Sequence, residues 1–330
     1  MYKLKRFRNA NNFIEALSPL REEFVDPVPQ YIYRGQGNSK WQLLPSVFRE
    51  NANLPYRGGR KGPMITLGDQ RQMEWELLVE FVKEANANGF HLPDETVIYR
   101  MLDLKQHDEE FNKIRRHEVH WPSAEYLSIL ALAQHYELPT RLLDWSYSSY
   151  VATYFSAMQC LGVLKRGEKV KNLSVFALNS NWSEFSYQSE IPQIQKELYE
   201  HHKQGVTFQV VQSPTYFNAH LKAQKGVFTC QYEFGNIKNY LTAPVCLREF
   251  IQGQTEKKQK ELESKQGTGL AQLSQTIINF DGNVLYEYTL PASEAEEVLF
   301  LLDRLGINAS TLFPTLSGCV KTIFERNNVY

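Results

Sequence analysis

The stretch from Ala133 to Phe155, AQHYELPTRLLDWSYSSYVATYF, constrains this chain more than any other. It sets His135, Tyr136, Arg141, Asp144, Trp145, Ser146 and Ser148 within 14 residues, then runs into an amphipathic segment. The fold must therefore carry a polar, aromatic turn between regular elements and pack a helix directly behind it. Groups that donate, accept, stack and carry charge, gathered on a connecting loop, are the raw material of a binding site. Arg141 and Asp144 are near enough in sequence to form a charge-assisted pair that ties the turn. His135, Trp145 and the serines are then the better candidates for ligand contact. Ser146 and Ser148 sit where a helix begins, as caps or as part of an anion site.

The rhythm around that block changes along the chain. Phe13, Ile14, Leu17, Leu20 and Phe24 fall near helical spacing and predict a short helix over 11–25, ended by Pro27 and Pro29. Tyr31 to Gln36 is a β-prone run. Residues 51–68, with Gly58, Gly59, Gly62 and Gly68, read as a long loop. Helices follow over 69–90 (Trp75, Leu78, Val79 and Val82 on one face), to about residue 117, and from Pro122 to before Pro139. Residues 148–162 predict an amphipathic helix closed by Gly162. Strands are expected at 173–178, 206–211, 226–232 and 285–290. The Gln- and Lys-rich stretch 252–276 reads as an insertion or a solvated helix. Ser293 to Leu305 predicts a helix with Ser293 and Glu296 as a capping box and Gly306 at its end. Another short helix is expected over 312–324. The fold class is α+β: a helical N-terminal half and a mixed or antiparallel β core, with no βαβ alternation.

Composition excludes some functions. The 330 residues carry 36 basic and 37 acidic side chains, a net charge of −1, so no global field gathers nucleic acid. No run approaches the ~18 apolar residues of a membrane span. Cys160, Cys230, Cys246 and Cys319 form no CxxC, and with no secretory signal they read as reduced thiols of a cytoplasmic protein. His117-Glu118-Val119-His120 lacks the HExxH pattern and a third ligand, and His201-His202 is no better, so no metal site is expected. GxGxxG, P-loop and GxSxG motifs are absent from the sequence. Arg57-Gly58-Gly59-Arg60-Lys61-Gly62 reads as a basic turn without the Lys-Ser/Thr of a phosphate loop. Arg34, at the end of an aromatic strand, offers planar bidentate recognition of phosphate or carboxylate, or a surface ion pair. Gln224, before Gly226 and a β-prone run, presents an amide at a strand edge.

Three groups of residues together resemble the FRG domain family. They are Tyr33-Arg34-Gly35-Gln36 with Leu44 to Arg49, the block from Ala133 to Ser146, and Ala223-Gln224-x-Gly226-x-Phe228. The late Leu305-Gly306-Ile307-Asn308 and Leu312-Phe313-Pro314-x-Leu316-x-Gly318 are similar to its C-terminal end. The resemblance divides the chain into an N-terminal helix over 1–29 and an FRG domain over 30–330, with the 51–68 loop and the 252–276 insertion. The chain departs from the family pattern at Glu137, where Gly is common and where a Cβ disfavours a left-handed backbone.

A looser resemblance, to R-S-E type ADP-ribosyltransferases, lies in the order Arg34, Ser146/Ser148, Gln224. It implies a split sheet and NAD as substrate. Arg34 would hold a phosphate or ribose, the serine step would position the nicotinamide ribose, and the late polar residue would support oxocarbenium formation. It implies catalytic roles for Arg34, His135, Ser146, Ser148 and Gln224. It implies NAD contacts from Arg34, Gly35, Gln36, Tyr136, Arg141, Asp144 and Trp145. Gln224 is neutral where such enzymes carry a carboxylate, a charge that Glu74 or Asp144 would have to supply. The implied function is a toxin or antiphage effector modifying nucleic acid or protein, with an antitoxin or other protein as partner. Two alternatives stay open: a non-catalytic nucleotide- or nucleic-acid-binding module, and a nuclease or hydrolase using His135 and Asp144.

Overall fold

The structure, a computed structural model, describes residues 2–21, 31–116, 118–119, 121–180, 204–212, 219–235, 244–253 and 284–328. Its centre is a seven-stranded sheet. The strands are β1 (Tyr2–Arg6), β2 (Tyr31–Gln36), β5 (Leu142–Ser146), β6 (Asn172–Asn179), β7 (Gln204–Val211), β8 (Gly226–Gly235) and β9 (Leu285–Pro291). Their order is β1-β9-β6-β2-β5-β8-β7, with β1 parallel to β9 and every other pair antiparallel. The α+β class and the mixed sheet are as the sequence predicts.

The sheet is not uniform. β2 pairs with β6 along six residues, and β5 pairs with β8 along five. Between β2 and β5 a single pair remains, Tyr33 with Ser146. Two well-laddered blocks thus meet at one bridge. Beyond it, along Arg34–Gln36 and Leu142–Trp145, no ladder pair joins the two strands.

Helices cover both faces. They are α1 (Ala10–Ala16), α2 (Leu67–Ala87), α3 (Glu95–Leu102), α4 (Leu104–Arg115), α5 (Leu127–His135), α6 (Ser149–Lys165), α7 (Ala219–Ala223), α8 (Ala295–Arg304), α9 (Ala309–Leu312) and α10 (Leu316–Arg326). One core gathers α1, α6 and α8 on Tyr31, Tyr33, Val175, Ala177, Tyr286 and Tyr288 of the sheet. A second, beneath Ile32, Leu143, Trp145 and Phe176, includes Leu247 and Ile251 of the helical segment 247–253. A third packs α2 to α5 around Trp75, Trp121 and Tyr126.

α6 presses unusually close to β2. A Cβ built on Gly35 would lie 1.9 Å from the Ala152 carbonyl oxygen, and one on Gly37 would lie 2.5 Å from the Cys160 nitrogen. Gly35 therefore serves the approach of a helix backbone to the strand.

Several expectations are corrected. Leu142–Ser146, taken as part of a loop, is a central strand, because its polar residues face the cleft while Leu143 and Trp145 enter the core. The opening residues, expected only as a helix, begin with β1 on the sheet edge, and the first helix stops at Ala16. The 51–68 loop contains a hairpin of β3 (Asn53–Leu54) and β4 (Arg60–Lys61), pinned by Leu54 and Tyr56 against Met73 and Leu77. α6 runs through Gly162 to Lys165 and closes at Gly167, φ +80°. No capping box forms at Ser293, since the turn 292–294 is 3-10 and Glu294 instead accepts from the Ala10 backbone N–H. Glu137 does adopt the left-handed backbone, φ +68°. It occupies the position after the C-cap of α5, where its N–H donates to Gln134 and the Leu138 N–H to Ala133, and the turn dictates the conformation. His117, His120, His201, His202 and most of the 252–276 insertion lie outside the described residues.

Candidate functional site

Where β2 and β5 stop pairing, a cleft of about 220 Å³ opens. Its lining includes Arg34, Gly35, Asp144, Trp145, Ser146 and Gln224, with Val151, Ala152, Phe155 and Gln159 from one side of α6. Residues from three distant segments thus meet at the fault in the sheet.

Arg34 fills the missing ladder. Its Nη1 donates to the Asp144 backbone oxygen at 2.7 Å and lies 3.6 Å from the Asp144 carboxylate. Its Nε is buried with no hydrogen-bond partner in the structure. Burial pulls the guanidinium down to about 10; Asp144 opposes that shift and Arg49 adds to it. This is a cation held in a poor environment with a donor unspent.

Asp144 is more exposed, its side chain at 63%. It is steered from behind: the Gln134 amide donates to one carboxylate oxygen, and the Gln134 oxygen accepts from the Thr140 hydroxyl. Thr140 is in turn tied to Ser46, whose Oγ donates to the Thr140 oxygen and accepts from its N–H.

The Arg141–Asp144 pair does not form. Arg141 is fully buried, on the far side of the turn, where Glu74 receives its Nε at 2.6 Å and its Nη2 at 2.9 Å. Nη1 reaches Glu233, the Trp121 oxygen and the Gln231 oxygen. Arg71 completes the cluster through Glu233 at 3.2 Å. Burial works against the Arg141 charge, but Glu233 and Glu74 outweigh it and hold the guanidinium above its ordinary value. Glu74 is committed here and does not line the cleft.

The serine step divides its roles. Ser146 Oγ donates to the Gln224 backbone oxygen at 2.7 Å and accepts from the Ser148 N–H at 3.0 Å. Ser148 caps α6 by accepting from the Val151 N–H and is not in the cleft lining. The Gln224 side-chain amide donates to the Leu312 oxygen at 3.3 Å. Trp145 contributes to the lining but is 3% exposed, its indole N–H donating to Thr229. Gln36 lies buried beneath, donating to the Gln42 oxygen. His135 and Tyr136 also lie outside the lining. His135 stacks on His220 at 4.7 Å, and burial followed by His220 keeps its imidazole below its ordinary value. Tyr136 packs edge-on against His135 and is 68% exposed.

Phe155, Gln159 and Gln134 are the site residues that sequence reasoning missed. Phe155 and Gln159 share a helix face with Val151, a four-residue spacing on a helix that the sequence marks only as amphipathic. Gln134 lies within the Ala133–Ser146 block, but its role was hidden because its contact with Asp144 forms only when β5 is in place.

No curated protein and no solved structure matches the chain. A family match does exist, and it spans every cleft residue named above except Gln224. Over residues 29–161 the chain matches the FRG domain.

Proposed function

We propose that the cleft is the active site of an ADP-ribosyltransferase-like enzyme that takes NAD as substrate and modifies nucleic acid or protein. The observation that carries this reading is the meeting of Arg34, Ser146 and Gln224 in one cleft, where Arg34 keeps a buried Nε without a hydrogen-bond partner. A guanidinium with a free donor in a poorly solvated site suits a phosphate oxygen. A volume of 220 Å³ takes one end of a dinucleotide and leaves the rest along the rim.

Nicotinamide is a good leaving group, so the protein's contribution reduces to positioning and electrostatics. Arg34 anchors the anionic part. Ser146, fixed between Gln224 and Ser148, holds the sugar's place through the local backbone. Asp144 is the carboxylate among the lining residues and takes the electrostatic role that neutral Gln224 does not fill. Once a phosphate occupies Arg34, Asp144 is released from it to face the departing bond. The neutral amide of Gln224, already committed to Leu312, favours a second reading: nucleotide binding without turnover. Base stacking on Trp145 finds no support, since its face is buried.

The test is incubation of the full chain with labelled NAD and a cell lysate, following label transfer and nicotinamide release. Release should fall by ~10²-fold in Asp144→Asn, the scale of losing one electrostatic partner of the transition state. NAD binding without release selects the second reading. Neither binding nor release rejects both.

A further inference from the structure

α10 is built inside out. The residues it turns toward the body of the protein are Gly318, Thr322 and Glu325. Thr322 accepts from the Ser310 N–H, and Glu325 accepts from the Ala309 N–H and the Tyr154 hydroxyl. Its large apolar residues point the other way: Leu316 is 87% exposed, Ile323 60%, Val320 51% and Phe324 51%. α8, clamped to α10 by the Arg326–Asp303 pair at 2.8 Å, adds Phe300 at 56%, and Leu305 follows at 52%. At ~150–200 Å² per large apolar side chain these fractions leave ~600 Å² exposed, the upper end for a monomer and close to the ~800 Å² that each partner gives a standard interface.

We infer that this face is the interface of a two-fold homodimer in which α10 packs antiparallel against α10 of a second copy. Three observations select a second copy as the occupant. Leu316, Val320 and Ile323 follow the four-three spacing of a helix–helix seam, and an antiparallel register sets Leu316 opposite Ile323 of the other copy. Charges of both signs rim the patch, with Glu296, Glu297 and Arg304 exposed on α8 and Lys321 and Arg326 on α10, so a two-fold axis can set acid of one copy toward base of the other. A net charge of −1 leaves little repulsion between copies. The inference is independent of the chemistry proposed for the cleft.

Cys319, in the seam, is exposed, whereas Cys160, Cys230 and Cys246 are buried, so the native chain carries its own probe. The experiment is light scattering after size exclusion at tens of micromolar, with a short bismaleimide as crosslinker. The expected result is twice the chain mass and a Cys319–Cys319 crosslinked dimer. Ile323→Glu, at an exposed position that leaves the fold intact by circular dichroism, should weaken association at least ~30-fold and abolish the crosslink. A monomeric wild type overturns the inference, including one that instead floats with lipid vesicles. So does an Ile323→Glu variant that still dimerises.

Discussion

Two arginines beside the same strand, β5, meet opposite fates. Arg141 ends the turn before β5 and is enclosed by two carboxylates, two backbone oxygens and the ring of Phe48. Arg34 reaches the same strand from β2 and has one backbone oxygen, one long ion pair and an unpartnered Nε. With Arg71, Glu74 and Glu233, the Arg141 cluster holds two positive and two negative groups and is neutral. The difference teaches that the residue type does not reveal the role. A buried cation whose donors are all spent is scaffold; one whose donor is unspent beside an opening is available to a ligand.

The contrast can be broken most directly at Arg141. Arg141→Ala strands Glu74 and Glu233 in the core and should cost ~3–5 kcal/mol in urea unfolding, as for other half-removed buried pairs. A loss under ~1 kcal/mol would mean that the cluster holds nothing together. Gly35→Ala comes next. The added methyl must displace the backbone of α6, not a flexible side chain, and a loss of ~3 kcal/mol is expected, with α6 rather than the Arg141 cluster disturbed in amide exchange. Arg34→Met should change stability by no more than ~1 kcal/mol, because it removes an incompletely paired charge. A loss as large as that of Arg141→Ala would make Arg34 scaffold too. The smallest effect is expected at Glu137, in the turn that separates the two regions. Glu137→Gly relieves a left-handed φ of +68° and should raise stability by ~0.5–1 kcal/mol, read from the thermal midpoint.

What the sequence disclosed was what is local. β2 and β6 to β9 declared themselves through β-branched and aromatic runs, and α2 through the spacing of Trp75, Leu78, Val79 and Val82. Arg34, Asp144, Trp145, Ser146 and Gln224 were legible as candidates, and they line one cleft. What stayed hidden depends on partners far along the chain. Arg141 lies 67 residues from Glu74 and 92 from Glu233, so the nearer Asp144 looked like its mate. β5 was hidden because a strand with Asp144 and Ser146 reads as polar until β8 is beside it. β1 is short and charged, and its pairing with β9 spans almost the whole sequence.

The central claim is that Arg34 is the anion-binding group of the cleft and Arg141 is not. Calorimetric titration of NAD into the full chain and into Arg34→Met tests it most directly, with unfolding curves recorded on both proteins. The account predicts that Arg34→Met keeps its stability and loses ~10–100-fold in affinity, the worth of one or two charge-assisted hydrogen bonds. Indistinguishable titrations for the two proteins, whether strong, weak or null, would contradict it.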